Sequence, residues 1–207
     1  QYWRAEETTR RETAEKNAVI AEKYFRKTTV RQLYGALARA ADQLLIKLPD
    51  QTPAVHAGYH WFGPWGRDAL IALPGLAFAR GKLEFGMHAL AAFSRLEKGG
   101  MLPNFVNPDG TGAYTAVDPA LWFFWTTQQF LKYGGSYNEI HHHLWPRMKS
   151  IVRHYLNGTE RNIHGGADGL LFAGDATHAV SWMDVQLNGR PIIQRWGYMV
   201  EVNALWY

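Results

Sequence analysis

The side chains with the widest chemical reach lie in three stretches of this sequence. The first is Trp61-Phe62-Gly63-Pro64-Trp65-Gly66-Arg67-Asp68. The second starts at Leu102-Pro103-Asn104-Phe105 and runs through Tyr114-Thr115-Ala116-Val117-Asp118 to Leu121-Trp122-Phe123-Phe124. The third is Ser181-Trp182-Met183-Asp184, followed by Val200-Glu201-Val202-Asn203-Ala204-Leu205-Trp206-Tyr207. Each mixes tryptophan with carboxylates, an amide or an arginine. That combination suits a ligand with flat C–H faces and a rim of hydroxyls, as a sugar ring has. The chain carries 9 Trp in 207 residues. A single Trp more often fills a core than lines a site, but clustering of Trp with Gly, Asp and Asn shifts the balance toward a site.

Within these stretches each residue has two readings. Asp184 is a candidate general acid, because Trp182 and Met183 can supply apolar surface that raises a carboxyl pKa. Equally, an Asp is a common helix cap. Arg67 and Asp68 suit the far end of a sugar, with Asp accepting from hydroxyls and Arg donating in a fixed fork. They also suit an ion pair at a helix start. Trp61 and Trp65 would then wall the pocket, with Asn104, Asp118, Trp122 and Trp182 beside it. Asp118, with Pro119 behind it, also fits a helix N-terminus. Glu201 is a candidate ligand to sugar hydroxyls or to an attacking water.

The elements that must position these residues are helical. Helices are predicted over 6–28 and 30–47, the second with Leu33, Leu37, Ala40, Leu44 and Leu45 at helical spacing. Further helices are expected over 68–78, 83–96, 118–133 and 137–156, and from about Val200. Pro74 should kink or interrupt its helix. Loops rich in Gly, Pro and Asn cover 50–66 and 99–115. Residues 157–195 read as irregular, with short strands near Gly169 to Phe172. The fold class is all-α, with the unusual residues in alternate loops, as helical hairpins in a toroid would place them.

Composition narrows the function classes. There is no Cys, which excludes a disulfide framework and a thiolate nucleophile and fits a cytoplasmic protein. No apolar run reaches the roughly 20 residues of a membrane span. The net charge is +4. Its basic excess near the start, in Arg10, Arg11, Lys16 and Lys23, alternates with Glu6, Glu7, Glu12, Glu15 and Glu22. Such mixed signs describe a solvated helix face. They are not a phosphate-tracking surface, and no nucleic-acid partner is expected. His141-His142-His143 on one helix point in different directions, so no metal site is expected. The Gly-rich segments near Gly110 and Gly165 lack phosphate-loop context, and no cofactor is expected.

Taken in order, the motifs resemble the C-terminal amylo-α-1,6-glucosidase domain of glycogen-debranching enzymes. That family has W-F-x-x-W-G-R-D, I-P-N, T-V-D-x-x-L-W-F, T-W-M-D and V-E-I-N-A-L-W-Y. This chain matches all of them, with Leu102, Ser181 and Val202 as the differences. The resemblance implies an (α/α)6 barrel and inverting hydrolysis of α-1,6-linked glucose stubs of glycogen or limit dextrin. It implies Asp184 as the acid, and Arg67 with Asp68 as the grip on the terminal glucose. The family's base is a Glu well past V-E-I-N-A-L-W-Y. Because the sequence stops at Tyr207, residues 1–207 are expected to be one truncated domain, an incomplete barrel that is inactive alone. Two other readings stay open: a glucoamylase- or trehalase-like hydrolase, and a non-catalytic glucan-binding module.

Overall fold

The computed structural model describes residues 2–107 and 110–207, without the side chains of residues 2–7 and 10. Glu6, Glu7 and Arg10 of the charged face therefore lie outside the described side chains. Two compact units are present, divided between Leu45 and Ile46.

The first unit is a helical hairpin of α1 (Tyr2–Tyr24) and α2 (Thr28–Leu44). The chain leaves α1 earlier than its composition suggests. Arg31 Nε donates to the Phe25 carbonyl at 2.7 Å, serving an acceptor left open past the helix end. The small side chains Ala21 and Ala38 are buried. Of the apolar positions along α2, Leu33 and Leu37 are exposed and Leu44 is half-buried. Arg11, Glu12, Glu15, Lys16, Glu22 and Lys23 are also exposed, in keeping with a solvated charged face.

The predicted end of α2 is corrected. Leu45–Lys47 is strand β1, paired with β2 (Pro53–Val55). The turn between them holds Gln51 at φ 68°, and Asp50 Oδ1 accepts from the Thr52 N–H at 2.9 Å.

The second unit contains α3 (Gly66–Leu76), a 3-10 turn (Phe78–Arg80), α4 (Leu83–Ser94), α5 (Asp118–Lys132), α6 (Tyr137–His143), α7 (Trp145–Asn157) and α8 (Val200–Trp206). Three further two-stranded antiparallel ribbons interrupt them: β3 (Phe105–Val106) with β4 (Gly112–Ala113), β5 (His164–Gly165) with β6 (Leu171–Phe172), and β7 (Gln186–Leu187) with β8 (Arg190–Pro191). The chain is helix-rich, as expected. The short strand expected near Gly169 to Phe172 is β6; the other two-residue strands leave no alternating pattern to read. Leu70, Phe78, Met87, Leu90, Phe123, Phe130, Ile151 and Tyr155 form the core, with Phe78 edge-on to Phe130 at 5.5 Å.

Pro74 does not break α3, which continues to Leu76. Proline has no N–H for the Leu70 carbonyl one turn earlier. The Thr126 hydroxyl, on α5, lies 2.7 Å from that carbonyl and supplies the missing donor. The predicted helix over 137–156 is two helices. Leu144, at φ −113°, separates them, and Pro146 stands in the first turn of the second. Ser136 and Glu139 form a reciprocal capping box at the start of α6. His141, His142 and His143 are exposed in the last turn of α6. No described helix is long and apolar enough to cross a membrane.

Candidate functional site

The W-G-R-D stretch ends in the first turn of α3. Trp65 is extended, at φ −113° and ψ 133°, and the helix starts at Gly66. Gly66 donates its N–H to the Asn104 carbonyl at 2.8 Å. A Cβ at Gly66 would overlap the Pro103 carbonyl and come within 2.6 Å of Phe93 Cζ. The glycine thus lets the P-N-F backbone lie directly against the helix start, with Trp65 bridged to Phe105. This contact sets Arg67 beside Asn104.

A second pair of backbone contacts brings the remaining segments in. The buried Tyr155 hydroxyl donates to the Val117 carbonyl at 2.8 Å, and the Val117 N–H donates to the Val180 carbonyl at 2.8 Å. Burial and the nearby Asp118 charge push the Tyr155 phenol far above its ordinary pKa, so it stays a neutral donor. The residues just after Val117 and Val180 lead to Asp118 and to the loop of Asp184.

These contacts build a compact polar cluster around Arg67. Its Nε and Nη2 both bond the Asp118 carboxylate, Nη2 at 2.9 Å. Its Nη1 lies 4.0 Å from Asp184 Oδ2. Asn104 Nδ2 donates to the same Asp184 oxygen at 3.3 Å. Burial disfavours the Arg67 cation, but Asp118, Asp184 and Asp68 together outweigh it and hold its pKa above the ordinary value. Four separated motifs, the one that carries Arg67 included, thus meet in one cluster.

The other expected residues are placed as follows. Asp68 is exposed in the first turn of α3; the carboxylate that Arg67 grips is Asp118, from another helix. Asp118 makes no side-chain cap; as the first residue of α5, it turns its carboxylate to Arg67. Trp122 follows one turn later on the same face of α5 and packs edge-on to Trp125 at 5.4 Å. Trp65 packs against Phe105 at 5.2 Å and Phe62 at 6.2 Å. Trp61 is 82% exposed and Trp182 is 52% exposed. No helix follows Asp184, so it is not a cap; β7 begins two residues later. Among the described residues, Trp65 Nε1 and Asn104 Oδ1 are buried without a partner.

Glu201 stands in the first turn of α8. Asn203 fixes that helix by bonding both backbone groups of Leu171: its Oδ1 accepts from the Leu171 N–H at 2.7 Å, and its Nδ2 donates to the Leu171 carbonyl at 3.1 Å. Trp206 Nε1 donates to the Gly169 carbonyl at 3.0 Å. Glu201 does not touch the Arg67 cluster directly. Its link is Arg195, which sequence reasoning missed; Arg195 Nη2 donates to Glu201 at 2.8 Å, and Nη1 lies 3.7 Å from Met183 Sδ. The available signal was an arginine lying between the M-D and V-E motifs. Met183 accordingly offers its sulfur to Arg195, a different environment from the apolar flank expected for Asp184.

The family model described as amylo-alpha-1,6-glucosidase matches residues 39–207. The chain belongs to that family. Over 69 residues it is also 32% identical to the glycogen debranching enzyme of Saccharomyces cerevisiae. That match covers 33% of this chain but only 4% of the yeast protein's length. The family assignment makes the chain part of a glycoside hydrolase family, and its match spans all the segments that meet at Arg67.

Proposed function

We propose that this chain forms part of an α-1,6-glucosidase that removes single glucose stubs from glycogen or limit dextrin, with inversion at the anomeric carbon. It would do so within one (α/α)6 barrel domain, in the cytoplasm, where its polymer is. The arrangement that supports this most is Arg67 set between Asp118 and Asp184, with Asn104 on the same Asp184 oxygen. Asp118 holds the guanidinium through two nitrogens and leaves Nη1 for a ligand. Nη1 and Asp184 Oδ2 are close enough to share one sugar hydroxyl at about 2.8 Å from each. Sugar hydroxyls also match the unpartnered Asn104 Oδ1 and Trp65 Nε1. Asp68, Trp61, Trp122 and Trp182 extend the binding surface, and Glu201 takes further hydroxyls.

In the proposed reaction, the Asp184 carboxylic acid gives its proton to the glycosidic oxygen as the bond from C1 to that oxygen breaks. Water adds to C1 from the opposite face and passes a proton to a second carboxylate. The products are free glucose and a glucan chain with a restored 6-hydroxyl. By resemblance, the second carboxylate is a Glu beyond the V-E-x-N-A-L-W-Y motif.

The test is Asp184→Asn in the full-length polypeptide, with a singly branched limit dextrin as substrate. The side chain keeps its shape and loses its transferable proton. Glucose release should fall about a hundredfold or more, while substrate affinity is retained. An undiminished rate would remove Asp184 from the reaction. Binding without any hydrolysis in the unmutated protein would favour a glucan-binding module.

A further inference from the structure

We infer that Arg195 is a positioning residue that ties the Glu201 carboxylate to the loop bearing Asp184. This rests on the function proposed above and adds a residue to it. Arg195 follows β8 and precedes α8, so it lies on the connection between the two motifs. Its Nη2 lies 2.8 Å from both Oε1 and Oε2 of Glu201. Its Nη1 reaches 3.7 Å to Met183 Sδ, on the residue immediately before Asp184.

The backbone holding Arg195 is firmly set. Two residues on, Gly197 exchanges hydrogen bonds with Ala173 in both directions, at 2.8 Å and 3.1 Å. Trp196 and Tyr198 pack on Phe172 at 6.1 Å and 5.3 Å. Glu201 is equally fixed, by the Asn203 clip on Leu171. The Arg195 fork therefore spans two anchored supports.

Stability is not the reason for such a contact. The Arg195 and Glu201 side chains are 27% and 37% exposed, and exposed pairs of this kind contribute little. What the fork supplies is orientation. A carboxylate offers about four acceptor sites. Arg195 Nη2 is shared by both oxygens of Glu201 and so fixes the direction of that carboxylate. Lysine, a point charge without a fork, can neutralise Glu201 but cannot also hold Met183.

The experiment compares Arg195→Ala, Arg195→Lys, Glu201→Gln and Arg195→Ala/Glu201→Gln in the full-length polypeptide. Steady-state kinetics on limit dextrin are measured with thermal unfolding. Arg195→Ala should lower kcat/KM about tenfold or more with Tm nearly unchanged, and Arg195→Lys should recover only part of the loss. The double variant should be about as impaired as either single one, as for groups acting as a unit. Effects that multiply, full rescue by lysine, or unaltered kinetics in Arg195→Ala would overturn the inference. A second readout is isomaltose affinity in an Asp184→Asn background, where Arg195→Ala should weaken binding. That measurement judges Arg195 even if Asp184 proves not to be the acid; unchanged affinity there overturns the inference.

Discussion

Arg67 and Asp118 are 51 positions apart and share a two-pronged ion pair, with Nη2 2.9 Å from Oδ1. The side chains are only 15% and 6% exposed. This pair welds the start of α3 to the start of α5 at the point where Asn104 and Asp184 arrive. Burial makes its loss one-sided, because the surviving partner stays in a poorly solvated place. Arg67→Ala should therefore cost about 3 kcal/mol of folding stability and also weaken binding of a terminal glucose. Denaturant unfolding and calorimetric titration with isomaltose check the two effects separately. Stability within experimental error of the unmutated chain would refute the weld.

Thr126 should be coupled to Pro74. Its hydroxyl lies 2.7 Å from the Leu70 carbonyl and 2.8 Å from the Trp122 carbonyl. The latter already has its own helical donor; the former lost one to proline. Thr126→Val should cost about 1–3 kcal/mol, the penalty of an unserved buried acceptor. With Pro74→Ala, which restores the N–H, the same change should cost clearly less. Equal costs in both backgrounds, measured by urea unfolding, would show that the hydroxyl serves another purpose.

Asn203→Asp tests the clip on α8. The carboxylate keeps the acceptor for the Leu171 N–H but loses the donor to the Leu171 carbonyl. About 1–3 kcal/mol should be lost locally, with faster amide exchange along α8 and at Leu171. Slow exchange retained across both segments would rule the clip out.

Asp175 gives a prediction in pH. Bonds from the Thr177 side chain and backbone, and then from His178, hold its carboxyl at about 2, below the ordinary 3.8. A depressed carboxyl adds stability that is complete above its unfolded value, and that stability is lost as pH falls through about 2. Carboxyl carbon shifts followed by NMR should show this low midpoint, and Thr177→Val should move it upward. A midpoint near 3.8 in the unmutated chain would contradict the turn geometry.

The sequence was most legible where residue type alone carried the message. Trp65, Arg67, Asn104, Asp118 and Asp184 stood out as polar or aromatic groups amid helical pattern, and four of the motifs do meet. The partners were less legible. Asp68 neighbours Arg67 in sequence, yet helix geometry sends adjacent side chains apart, and Asp118 takes the guanidinium instead. Arg195 escaped notice because an isolated arginine in an irregular segment has no pattern; only the fold brings it to Met183 and Glu201. Pro74 misled for a related reason. Its penalty is local, whereas the donor that relieves it stands 52 positions away on α5.

That last relationship also has a historical side. A threonine at position 126 facing an ordinary helix is harmless, since its hydroxyl can bond its own helix through the Trp122 carbonyl. A proline at position 74 facing valine is not harmless. The two substitutions are therefore ordered: the permissive route through neighbouring functional sequences acquires the hydroxyl first and the proline second. Once both are present, loss of the hydroxyl at position 126 leaves the Leu70 carbonyl unserved, whereas a residue with an N–H at position 74 serves it again.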